Sequence, residues 1–225
     1  MFSGYNAPMQ ELTLVQKVAV WALPILFAIT LHEVAHGWVA RRLGDSTAWM
    51  LGRLTLNPLK HIDPVGTVVV PLVLLALGGF IFGWAKPVPV NYANLRNPKR
   101  DMAIVAAAGP GANLLMAVGW ALVFKLAFLG AQALPWAAVP LMYMAGAGIV
   151  INIVLAVLNL LPVPPLDGGR VLAGLLPDRI AASYARLEPW GLLIVLALLA
   201  TGMLGRILGP PIHALEQLVY RIFAL

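Results

Sequence analysis

His32, Glu33 and His36 belong to one short string, His32-Glu33-Val34-Ala35-His36. Two histidines four apart on a helix lie on one face a single turn apart, so both imidazoles can converge on one metal ion. Zinc suits such ligands, and a glutamate beside the first histidine can serve as general base for hydrolysis at that metal. The string is flanked by apolar residues, Trp21 to Leu31 before it and Gly37-Trp38-Val39-Ala40 after it. Ionisable side chains are costly in hydrocarbon, so there they mark function. These residues point to a hydrolytic zinc site set in a bilayer.

Catalytic zinc usually has three protein ligands plus water, so two histidines leave one place open. The chain has no cysteine, which excludes thiolate ligands and disulfides. Of its five aspartates and four glutamates, most fall in polar loops or near the termini, and Asp167 is the exception. It lies in Asn159-Leu160-Leu161-Pro162-Val163-Pro164-Pro165-Leu166-Asp167-Gly168-Gly169-Arg170, just after an apolar segment. The prolines prevent a regular helix and the two glycines permit sharp turns, which suits an extended segment returning a carboxylate to a cleft. Asp-Gly on its own is a common turn pair. Only beside the histidines does Asp167 read as a ligand.

The elements that must position these groups are membrane helices. Of 225 residues, 61% are hydrophobic and 11% charged, with a mean hydropathy of +0.88. Soluble domains carry roughly 25% charged residues, so the composition fits an all-α polytopic membrane protein with four to six transmembrane helices. Apolar segments fall at about 13–43, 65–82, 102–128, 139–161 and 188–207, with an amphipathic stretch at 211–225. Each of the first five reaches or approaches the ~20 residues a spanning helix needs. Residues 1–225 then form a single integral-membrane domain, with a catalytic core over about 13–170 and C-terminal helices over about 188–225. Met1 to Glu11 lacks the basic start of a signal peptide. Pro24 is expected to kink the first helix by freeing the Val20 carbonyl, and Gly44 to cap its end.

The net charge of +6 follows topology and calls for no nucleic acid. Eight basic residues lie between Arg41 and Asp101 and three between Val163 and Trp190, while Leu129 to Ala138 has no charge. The positive-inside rule puts the first two regions in the cytoplasm and the third outside. Segment 65–82 must then enter and leave on one side, as a re-entrant element turning near Gly78-Gly79. The same arrangement brings His32, His36 and Asp167 to one face. His36 and His32 lie five and nine residues before Arg41, or ~7 to ~14 Å below the basic rim. Two segments could form a small membrane-associated β element that pairs with an unwound substrate, Gly52 to Leu56 and Lys86 to Asn91.

The motifs His32-Glu33-x-x-His36, Ala108-Gly109-Pro110 and Asn159…Pro162…Pro165-Leu166-Asp167-Gly168-Gly169-Arg170 occur in an order that resembles the site-2 protease family of intramembrane zinc metalloproteases. The resemblance covers about 13–170. It implies one zinc ion per chain held by His32, His36 and Asp167, with Glu33 as catalytic base. It also implies that Asn159 polarises the substrate carbonyl. Members cleave transmembrane segments of membrane-anchored proteins near the cytoplasmic face, which implies a multi-pass protein of a prokaryotic plasma membrane. The PDZ or CBS modules of some members are absent from this chain. Accessory membrane proteins and oligomeric state stay open.

Other polar residues in the apolar segments have simpler readings. Asn113 reads as an interhelical hydrogen-bonding residue among small neighbours. His61 reads as a loop residue, His213 as interfacial, Trp84 and Trp190 as interface anchors. The stretch 211–225 reads as a helix lying on the surface or contacting a partner. Competing functions are a metal-ion or small-solute transporter, disfavoured because no motif is repeated, and an inactive membrane-binding relative.

Overall fold

The computed structural model describes residues 12–69 and 86–225. The main helices among them are α1 (Leu14–Leu43), α2 (Pro98–Gly130), α3 (Pro135–Asn159), α4 (Asp167–Leu175), α5 (Asp178–Ala185), α6 (Gly191–Ala200) and α7 (Met203–Phe223). α1, α2, α3 and the run Asp178–Ala200 are long and apolar enough to cross a membrane. The chain is therefore an all-α polytopic membrane protein.

Local chemistry sets the ends of α1. Thr13 and Gln16 form a reciprocal capping box at its start. Gly44 ends it at φ 120°, a conformation that favours glycine, and its N–H reaches the carbonyls of Ala40 and Arg41. Pro24 is buried inside α1, yet the helix continues as one element from Leu14 to Leu43. Past Gly44, buried Asp45 accepts hydrogen bonds from Asn91 N (2.8 Å), Asn94 Nδ2 (3.0 Å), and the Thr47 amide and hydroxyl. Arg96 N donates to Leu43 O at 3.1 Å. The end of α1 is thus tied to the segment that leads into α2.

α2 packs between α1 and α3, and close approach is what its sequence provides. Gly109, Asn113, Ala117 and Ala121 recur every fourth residue on its buried face, opposite Gly148, Asn152 and Ala156 of α3. A Cβ at Gly148 would stand 2.4 Å from the Trp120 ring, so only glycine lets these helices meet. In a bilayer, where tails are as apolar as leucine, such fitted contact drives helix association. Ile149, Ile153 and Val157 continue this core toward Val195 of α6.

Several expectations change. Segment 65–82 and Trp84 lie largely outside the described residues, apart from a π-helical turn at Pro64–Val69. Its two flanks meet, because Lys86 N donates to His61 O at 2.9 Å. The expected β element does not form among the described residues. Pro87 and Pro89 lack ladder donors, and side chains take the neighbouring backbone groups: Arg53 Nη2 binds the Lys86 and Pro87 carbonyls, and Glu33 accepts from Val88 N. The apolar run 188–207 is broken at Gly202 (φ 70°), so α6 stops at Ala200. The stretch 211–225 belongs to the longer α7. Its stripe Leu204, Leu208, Ile212, Leu215, Val219 and Phe223 packs on the α2–α3 core instead of lying free on a surface. His61 ends the 3-10 turn Pro58–His61 away from the histidine pair and is buried, its Nε2 donating to Thr55 O at 3.0 Å.

Candidate metal centre

α1 presents His32 and His36 one turn apart, with Nε2 atoms 3.1 Å from each other. α4 delivers Asp167, whose Oδ2 lies 3.2 Å from His32 Nε2 and 3.3 Å from His36 Nε2. All three residues are at most 9% exposed. Residues more than a hundred positions apart therefore converge.

The outer nitrogen of each ring decides what the inner one can do. His36 Nδ1 lies 2.7 Å from Val105 O, and a carbonyl only accepts, so that nitrogen carries the proton. His32 Nδ1 lies 2.6 Å from Asn113 Oδ1. The Asn113 amide is oriented by its own Nδ2, which donates to Ala28 O (3.2 Å) and Asn152 Oδ1 (3.0 Å). Asn152 is fixed in turn by donating to Gly148 O at 2.8 Å. Both imidazoles thus hold their protons at Nδ1 and turn lone pairs inward.

Asp167 Oδ2 is buried and lacks a hydrogen bond of good geometry. Three electron-pair donors within 3.3 Å repel one another unless a cation lies between them. A tetrahedral ion with bonds of about 2.0–2.1 Å separates its ligands by about 3.3 Å, close to the spacing here. The donor set of two imidazoles and one carboxylate fits zinc.

Local structure explains why these residues can meet. A Cβ at Gly109 of α2 would come 2.3 Å from His36 Nε2 and 2.6 Å from His32 Cε1, so a glycine is required where the rings lie on α2. Gly168 and Gly169 lie in the first turn of α4 instead of forming the expected sharp turns. There a Cβ would meet Leu160 O at 2.2 Å and Pro164 N at 2.5 Å respectively. Their role is close packing of α4 against the loop that precedes it, which sets the depth of Asp167.

Around this centre, Glu33 Oε2 accepts from Val88 N at 2.7 Å, which places the carboxylate against the segment after residue 85. That segment is tied to α4, since Arg170 donates to Tyr92 Oη, stacks on its ring and approaches Glu188 at 3.9 Å. Burial pushes the Tyr92 phenol up, and Arg170 only partly offsets this. Asn159 sits at the end of α3, where its Nδ2 donates to Leu155 O at 2.9 Å. The asparagines bonded to the histidine network are instead Asn113 and Asn152. A buried amide in a span marks Asn113 in the sequence, but nothing there names His32 as its partner.

Residues 126–202 match peptidase family M50. The candidate zinc metalloprotease YwhC of Bacillus subtilis (strain 168) is 36% identical over 203 residues, 90% of this chain and 90% of its own length. The chain belongs to peptidase family M50. This M50 peptidase is also 35% identical to the candidate zinc metalloprotease Rip2 of Mycolicibacterium smegmatis over 184 residues, 80% of this chain and 66% of that protein. Rip2 of Mycobacterium tuberculosis (strain H37Rv) is 31% identical over 82% of this chain and 66% of its own length. No solved structure matches. M50 is the site-2 protease family, so the protein is a zinc metalloprotease of a membrane, and the transporter alternative is set aside.

Proposed function

We propose that this zinc metalloprotease is an intramembrane endopeptidase. It hydrolyses peptide bonds in or near transmembrane segments of membrane-anchored proteins, close to the cytoplasmic face of a prokaryotic cell membrane. The observation that carries this reading is the position of the His32–His36–Asp167 cluster: its histidines are buried within a helix apolar enough to span, about 1.4 and 2.5 turns before Arg41.

His32 and His36 through Nε2, and Asp167 through Oδ2, would hold the zinc ion. When bound, zinc supplies a polarised carbonyl and brings the pKa of a water to about 7. Glu33 accepts a proton at its carboxylate from the attacking water and returns it to the leaving amine. Its hydrogen bond from Val88 N keeps the group aimed while it waits. Asn159 polarises the substrate carbonyl after releasing Leu155 O.

A transmembrane reporter in proteoliposomes tests this. Wild type should cut within or beside the apolar segment, and Glu33→Gln should fail while keeping its zinc. Equal cutting by both proteins would remove Glu33 from the chemistry. Cutting of soluble peptides alone would refute the intramembrane reading.

A further inference from the structure

We propose that the end of α1 carries a binding site for an anionic phospholipid, with Arg41 and Arg42 gripping the phosphodiester and Trp38 flanking it. The observation is a pair of adjacent guanidiniums, each laid flat on an indole. Arg41 stacks over Trp49 with Cζ 4.4 Å from the ring centroid, and Arg42 over Trp38 at 4.8 Å. Stacking orders the planar fork yet leaves its N–H edge free to donate. Among the described residues neither guanidinium has a carboxylate partner, whereas Arg53 and Arg170 are both engaged by backbone or side-chain oxygens. An open cleft of about 370 Å³ lies against Trp38, Arg41 and Arg42.

The surroundings select a lipid as the source of the phosphate. Arg41 and Arg42 end a helix apolar enough to span, so they stand at headgroup level. Below them α1 shows an apolar stripe at helical spacing, with Leu23, Phe27 and Trp38 exposed at 43%, 42% and 52%. From Trp38 to Phe27 is about 16 Å along the helix, close to the ~15 Å hydrocarbon depth of one leaflet. Beside the arginines, Trp49, Met50 and Leu51 are also exposed, forming an apolar shelf at the interface. Paired donors above and an acyl-length apolar track below complement a negatively charged phospholipid. A zwitterionic lipid offers the same phosphate with a cation that the arginines repel.

The test measures retention of phosphatidylglycerol and phosphatidylcholine by the full-length, detergent-purified protein in native mass spectrometry. Wild type should retain phosphatidylglycerol over phosphatidylcholine, and R41Q/R42Q should weaken that retention roughly thirty-fold. The charge-matched control R179Q/R186Q, which removes two exposed arginines in and just after α5, should leave it unchanged. R41K/R42K should retain less than wild type, because an ammonium has no planar fork. Equal retention by wild type and R41Q/R42Q would overturn the proposal, as would equal loss in R179Q/R186Q. Displacement of the lipid by millimolar inorganic phosphate would also overturn it, by showing a site for free anions. Zinc content, which should match wild type in every variant, reports intact folding.

Discussion

His32 Nδ1 and Asn113 Oδ1 lie 2.6 Å apart across the α1–α2 interface, and this contact decides which imidazole nitrogen is left for the metal. The amide cannot turn over, because its Nδ2 already donates to Ala28 O and Asn152 Oδ1. One buried asparagine therefore joins three helices and sets a tautomer. Asn113→Leu should lower zinc affinity about 10- to 100-fold, the usual consequence of losing a ligand's outer partner. Chelator competition on purified protein measures this, and unchanged affinity would show that Asn113 only packs.

Gly109 and Gly111 form an internal comparison on α2. A methyl group at Gly109 would collide with both imidazoles, whereas one at Gly111 meets nothing within 4 Å. Gly109→Ala should abolish zinc binding and proteolysis, and Gly111→Ala should leave both intact. Zinc content and reporter cleavage of the two proteins, side by side, check this directly.

Asp45 gives the fold a pH dependence outside the spans. Burial raises its pKa, but donors from Thr47, Asn94 and Asn91 more than offset this and hold it below the ordinary carboxylate value. A lowered folded pKa means the stabilisation is complete above the unfolded value of about 3.9 and is lost as pH falls through the folded one. Melting temperature should therefore drop as pH falls below about 4. In Asp45→Asn this component of the drop should vanish, and the protein should be less stable at pH 7.

Much of the site was legible because its chemistry needs particular residue types at fixed spacing. His32, Glu33 and His36 are read from one helical turn, and Asp167 from the shortage of other carboxylates near a span. The glycines after Asp167 were legible as special but not as packing surfaces, since a close approach depends on Leu160 and Pro164 being opposite. The β element failed for a local reason: Arg53 and Glu33 occupy backbone groups that a strand would have used. The break at Gly202 and the docking of α7 depend on tertiary contact, which hydropathy does not report. The meeting of His61 with Lys86 is a tertiary contact that no residue type or spacing names.

The proposed membrane sidedness rests on the distribution of positive charge and has its own measurement. Ala93 is exposed in the segment bound to the end of α1. In intact cells Ala93→Cys should resist a membrane-impermeant thiol reagent and react after the membrane is opened. Labelling from outside would invert the proposed orientation.

The central claim is that His32, His36 and Asp167 together hold one zinc ion. Zinc stoichiometry combined with zinc-edge X-ray absorption on the purified protein tests it most directly. Wild type and Glu33→Gln should each carry one zinc with two imidazole ligands and a carboxylate, while His36→Ala and Asp167→Ala, folded by circular dichroism, should carry none after mild chelation. Full zinc occupancy in Asp167→Ala with an unchanged absorption spectrum would contradict the account.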